Sequence, residues 1–121
     1  MKRTGIDALA IAVGNAHGDY KFPPKLDFER ISEIAERTDV PLVLHGGSGL
    51  SDSDFREAIR RGIAKVNIFT DISKAQVTGM QRAIEAGINN AFDMIPFEVD
   101  EVQWAVEGKM QLFSSANHAH A

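Results

Sequence analysis

Pro41-Leu42-Val43-Leu44-His45-Gly46-Gly47-Ser48-Gly49 is the stretch that decides how the rest of the chain is read. Residues 41–44 predict a short buried strand, and polar chemistry begins where that strand stops. A histidine stands at the tip, followed by three glycines in four positions with one serine between them. Glycines there let the backbone take positive φ and approach a ligand, so that several N–H groups can converge on an anion. The imidazole could hold a metal. The same residues also fit a plain glycine turn with a structural histidine.

Working outward, residues 6–14 form an apolar run closed by Gly14, which predicts a strand buried on both faces of a parallel sheet. Asn15-Ala16-His17-Gly18 follows as a polar tip, and Pro23-Pro24 marks a loop. Asp27 is placed to cap a helix with Phe28, Ile31, Ile34 and Ala35 on one face, ending near Thr38-Asp39. Past the glycines, Ser51 to Asp54 offer caps for a helix carrying Phe55, Ala58 and Ile59, with Gly62 to end it. Residues 63–69 predict a third strand ending in Thr70-Asp71. A longer helix with Ile72, Ala75, Met80, Ala83 and Ile84 runs to Gly87. Asn89-Asn90 and Pro96 bracket a connection, and a last helix spans roughly Glu98 to Phe113, with Trp104 as a packing residue. Residues 114–121 predict a flexible tail, and its His118 and His120 are given no role beyond adventitious metal binding.

Strands alternating with helices imply right-handed crossovers and a parallel α/β sheet. The repeat of about 28 residues is close to that of a (β/α)8 barrel unit, yet such a barrel takes about 250 residues. The expected architecture is therefore an open sheet or part of a barrel, occupying residues 1–113.

The 121 residues include 44% apolar and 25% charged side chains, as in an ordinary globular domain. A net charge of −4 argues against partners held by bulk electrostatics, nucleic acid and anionic membranes among them. No apolar run approaches a membrane span, and the amino terminus has no secretory pattern. With no cysteine, any transition metal must be bound through histidine and carboxylate. The absence of cysteine is also compatible with a cytoplasmic setting.

In parallel α/β folds, sites gather at the carboxyl ends of the strands. His17 and His45, one βα repeat apart, stand on the same rim and could share a metal ion. Two histidines do not complete a catalytic zinc site, which normally has three protein ligands. The phosphate reading is stronger. Gly46, Gly47 and Ser48 follow one strand, while Asn67, Ile68, Phe69 and Thr70 end the next, so two donor-rich loops stand on successive strands. Lys21 could reach a phosphate from the first loop; Asp7 and Asp71 are read as cap or turn residues.

Thr4-Gly5-Ile6-Asp7-Ala8-Leu9-Ala10, Gly14-Asn15-Ala16-His17-Gly18, Pro24-Lys25-Leu26-Asp27-Phe28, Leu44-His45-Gly46-Gly47-Ser48-Gly49 and Lys65-Val66-Asn67-Ile68 together resemble the class II, metal-dependent ketose-bisphosphate aldolases of the fructose and tagatose type. The resemblance covers most of residues 4–113 and implies the carboxyl-terminal half of a (β/α)8 barrel. It implies that His17 and His45 are two of the zinc ligands. It further implies that Gly18, Gly46, Gly47, Ser48, Asn67, Ile68, Phe69 and Thr70 bind dihydroxyacetone phosphate. The reaction implied is reversible aldol cleavage, in which Zn2+ acts as a Lewis acid. The family's third zinc histidine and its proton-transferring aspartate have no counterpart here, so no catalytic residue is assigned. The implied partners are the phosphorylated ketose, and a second copy of the chain or a complementing amino-terminal half. The rival expectation is a non-catalytic, oligomeric half-barrel that binds phosphate.

Overall fold

The computed structural model describes residues 4–15 and 24–118, and two compact units divide the chain at Ile68 and Phe69. The first unit holds β1 (Leu9–Ile11), α1 (Phe28–Glu36), β2 (Leu42–Leu44), α2 (Asp52–Arg60) and β3 (Ile63–Val66). The second holds α3 (Thr70–Glu85) and α4 (Ala91–Leu112).

In the first unit the strands form a parallel sheet in the order β1-β2-β3. This is the expected α/β pattern, and β2 is its centre. Leu42, Val43 and Leu44 are all buried, as a strand flanked by two others should be. Both outer strands are shorter than their apolar runs suggested. Residues 6–8, assigned to the first strand, are exposed and lie outside the ladder, because β1 meets β2 over only three residues. Residues 67–69, assigned to the third strand, leave the ladder after the Asn67 N–H reaches the Leu44 carbonyl at 2.9 Å. Between β2 and β3 the register slips by one residue, so that Leu42 faces Ile63 and Val43 faces Lys65. Ala64 is the extra residue of this bulge.

The two helices of this unit begin where their caps predict. The Asp27 carboxylate accepts from the Arg30 N–H at 2.9 Å. Ser51 and Asp54 form a reciprocal capping box on α2. Ile31 of α1 and Phe55 and Ala58 of α2 are buried with Leu42 and Leu44 in one core. Gly62 ends α2 at φ +117, and a Cβ there would come within 2.8 Å of Ala35 Cβ.

On the surface of α2, Glu57 accepts from Arg60 (2.8 and 2.6 Å) and from Arg61 (2.7 Å), and Arg61 also donates to Ser32 Oγ at 3.2 Å. Hydrogen bonds from Arg60, then Arg61, lower the Glu57 pKa to about 2. A depressed carboxylate pKa adds stability above the unfolded value, and that stability is lost as pH falls through the folded one. Acid titration should therefore weaken the fold as pH falls from about 4.5 through about 2, and Glu57→Gln should flatten that limb. Chemical denaturation across this pH range measures it; a Glu57→Gln curve parallel to wild type would contradict it.

In the second unit, α3 closes with a Schellman turn. The Ile88 N–H reaches the Ala83 carbonyl and the Gly87 N–H the Ile84 carbonyl, each at 3.0 Å, with Gly87 at φ +84. Asn90 then caps α4 by accepting from the Asp93 N–H at 3.0 Å. The last helix therefore starts at Ala91 rather than Glu98, and Pro96 lies inside it instead of in a connection. Pro96 removes only one backbone bond in the second turn, which the Asn90 cap and the packing against α3 outweigh. Gly79 is buried at that packing, and a Cβ on it would lie 2.5 Å from Glu98 Cα. Gln76 donates to Glu98 at 2.8 Å, Arg82 pairs with Glu101, and Lys109 pairs with Asp71 at 2.7 Å. Trp104, expected to pack, is 75% exposed. Past α4 the Ser115 N–H folds back to the Met110 carbonyl at 2.9 Å, and His120 lies outside the described residues.

Candidate functional site

The carboxyl ends of β1, β2 and β3 bring Asn15, His45 and Asn67 together in the first unit. The chain leaving β1 turns at Gly14 (φ +95) and is tied down by the Asp27 N–H, which donates to the Val13 carbonyl at 2.9 Å. This turn aims the Asn15 amide at the His45 carbonyl, to which it donates. Asn15 Oδ1 in turn accepts from the Val13 N–H at 3.4 Å. From the other side, Asn67 Nδ2 lies 3.2 Å from His45 Nδ1 and 2.9 Å from Nε2, so it donates to whichever ring nitrogen lacks the proton. His45 is thus held at its backbone by one asparagine and at its ring by another.

Beyond His45 the glycines behave as their spacing suggested. Gly46 sits at φ +62 and Gly49 at φ +90, conformations open to glycine at little cost. Gly47 is favoured for a different reason: a Cβ there would come within 3.0–3.1 Å of Ile68, Phe55 and Val66 side-chain atoms, which would have to give way by a few tenths of an ångström. The loop is therefore pressed onto the core, and Gly46, Gly47 and Ser48 are buried while His45 is half-buried. The Leu50 N–H closes the loop onto the Gly47 carbonyl at 3.3 Å. The N-terminus of α2, next in the chain, is occupied by its own capping box and carries Asp52 and Asp54, which disfavours an anion there.

Among the expected site residues, Gly46, Gly47, Ser48, Asn67 and Ile68 gather around His45. Phe69 and Thr70 do not end a strand; they open α3 in the second unit, where Phe69 is the cap residue and no side chain caps the first turn. His17, Gly18 and Lys21 lie outside the described residues. Among the described residues, no group of three histidine, cysteine, aspartate or glutamate side chains is placed to hold a metal ion. One imidazole, with its ring engaged by Asn67, does not by itself make a zinc site. Asn15 is the residue the sequence reading passed over. Its signal was its place in the Gly14-Asn15-Ala16-His17-Gly18 stretch, directly after a glycine that closes an apolar run.

A parallel α/β sheet with a buried glycine loop and a held histidine on its carboxyl rim has the layout of a segment of a parallel α/β enzyme, whose sites gather at that rim. The model of the class-II fructose-bisphosphate aldolase family matches residues 1–118, and the chain belongs to that family. It is 47% identical over 81 residues to the Escherichia coli protein YdjI, a span of 67% of this chain and 29% of that one. The crystal structure of the Escherichia coli YdjI aldolase superposes with a TM-score of 0.83 at 36% identity, over 98% of this chain and 43% of that one. A candidate fructose-1,6-biphosphate aldolase from Coccidioides immitis superposes with a TM-score of 0.86 at 34% identity, over 96% and 41% of the two chains. The chain thus spans less than half the length of these relatives.

Proposed function

We propose that these residues form the phosphate-side segment of a class II aldolase site, within the carboxyl-terminal part of a (β/α)8 barrel. The observation that carries the reading is the buried Gly46-Gly47-Ser48 loop set against a histidine clamped by Asn15 and Asn67. Parallel strands in sequential order, joined by helices, are the repeating unit of such a barrel. The reaction is reversible aldol cleavage of a ketose 1,6-bisphosphate to dihydroxyacetone phosphate and an aldehyde phosphate, carried out in the cytoplasm. Loop N–H groups and the Ser48 hydroxyl hold and orient the phosphate. His45, together with His17, is a ligand for Zn2+, which when bound polarises the ketone carbonyl.

The chain spans less than half the length of the aldolase structures it matches, which favours a corollary: residues 1–121 alone bind phosphate and do not cleave the sugar. Dihydroxyacetone phosphate added to the 15N-labelled chain should shift the Gly46, Gly47 and Ser48 amide resonances, with no product formed from fructose or tagatose bisphosphate in the presence of Zn2+. Amides that stay put would remove the phosphate reading. Zinc-dependent cleavage by the purified chain would refute the corollary.

A further inference from the structure

The bonds that cross from β1 to β2 change character toward the carboxyl rim. At the start of β1 the link is backbone alone: the Leu9 N–H donates to the Pro41 carbonyl at 2.9 Å. Rungs of a parallel ladder are evenly spaced, so the same bond carried four residues along both strands would run from the Val13 N–H to the His45 carbonyl. At that point the Val13 N–H donates to Asn15 Oδ1 at 3.4 Å, and Asn15 Nδ2 donates to the His45 carbonyl. One carboxamide thus stands in the rung, accepting from one strand and donating to the next. On the other side of β2 the Asn67 N–H holds the Leu44 carbonyl at 2.9 Å. Successive carbonyls of β2 therefore still face opposite neighbours, one residue beyond the end of the β1–β2 ladder.

The planarity of the peptide makes this bond more than an anchor. The His45 carbonyl and the Gly46 N–H belong to one trans peptide unit, in which they point in opposite directions. Holding the carbonyl toward β1 directs the Gly46 N–H away from β1, to the side of β3 and Asn67. Gly46 sits at φ +62 and has no Cβ to resist rotation of that plane, so a partner that holds the carbonyl sets the orientation. We propose that Asn15 is a positioning residue for phosphate binding. By fixing the His45–Gly46 peptide it keeps an N–H, rather than a carbonyl oxygen, turned to the anion at the start of the buried loop. The proposal rests on the phosphate reading of that loop, and it assigns Asn15 no contact with the anion.

Two measurements on the 15N-labelled 121-residue chain test this: the Gly46 N–H residual dipolar coupling in a weakly aligned sample, and a titration with inorganic phosphate. In the wild type the coupling should fit the peptide orientation set by the Asn15–His45 bond. In Asn15→Ala it should shrink toward an average of two orientations. The same substitution should weaken phosphate binding about 10-fold, the worth of one hydrogen bond to a charged group. Ser32→Ala removes a different side-chain bond of the same unit, the one Arg61 donates to Ser32, and should leave both readouts unchanged. An equal loss of affinity in Ser32→Ala would assign the effect to general stability and overturn the proposal. So would an Asn15→Ala chain that keeps either the wild-type Gly46 coupling or the wild-type phosphate affinity. A wild-type chain that ignores phosphate would remove the phosphate reading itself, and the positioning role with it.

Discussion

Replacing Gly79 with alanine should unseat α3 from α4 and cost about 3 kcal/mol, at the upper end of what overpacking a tight contact costs. The added methyl would lie 2.5 Å from Glu98 Cα, 2.6 Å from the Phe97 carbonyl oxygen and 2.8 Å from the Glu98 N. All three are backbone atoms of a helix, so no rotamer change relieves the clash; the helices must separate. Separation would also stretch the Gln76–Glu98 hydrogen bond beside it and loosen Ala83, which is fully buried. The opposite result is expected at Gly108, where a Cβ meets nothing within 4 Å. There alanine should stabilise by about 0.5–1 kcal/mol, because glycine in a helix interior costs that much. Thermal unfolding of the two variants, followed by circular dichroism, should move in opposite directions. A Gly79→Ala melt at or above wild type would mean that the helices do not meet there.

Gly14→Ala should be comparably damaging, at about 3 kcal/mol, for two reasons that add. At φ +95 a residue with a Cβ is strained by roughly 1–2 kcal/mol. The methyl would also sit 2.4 Å from the Lys25 backbone carbonyl oxygen. The functional consequence lies one residue on. Shifting Gly14 turns Asn15 away from the His45 carbonyl, so the loop after β2 loses its anchor. Asn15→Ala removes that anchor without the backbone strain and should cost about 1 kcal/mol. Both variants should broaden the Gly46 and Gly47 amide resonances, but only Gly14→Ala should lower the denaturation midpoint substantially. Equal midpoints for the two would show that the turn tolerates a side chain.

Much of this arrangement was legible before the fold was known, and the reasons are local. The Asp27 and Ser51 caps, the Gly62 and Gly87 helix ends and the buried Leu42–Leu44 strand follow from residue types at single positions or short spacings. So does the clustering of Gly46, Gly47, Ser48 and Asn67 near His45, because strand ends in a parallel sheet share one rim. What was misread depended on partners distant in sequence. Residues 6–14 are apolar enough for a strand but find no ladder beyond Leu9–Ile11. Phe69 and Thr70 have strand-forming side chains, yet the helix that follows claims them. Pro96 looked like a boundary because proline disfavours helices, but an asparagine cap and a glycine crossing hold the helix through it.

The sequence by itself determined the parallel α/β alternation, the glycine loop that follows β2 and membership of the class II aldolase family, since periodicity, turn chemistry and motif spacing are written along the chain. Only the tertiary structure decided how His45 is held. Asn15 lies 30 residues before it and Asn67 22 residues after it, and nothing in the local pattern of either asparagine points to a histidine. The sheet brings them together, because hydrogen bonding between neighbouring parallel strands aligns their carboxyl ends whatever the length of chain between them. The same holds for Gly47: its glycine was readable as a turn, but the need for it comes from Phe55, Val66 and Ile68 closing over the loop. Packing, not turn chemistry, disfavours a side chain there.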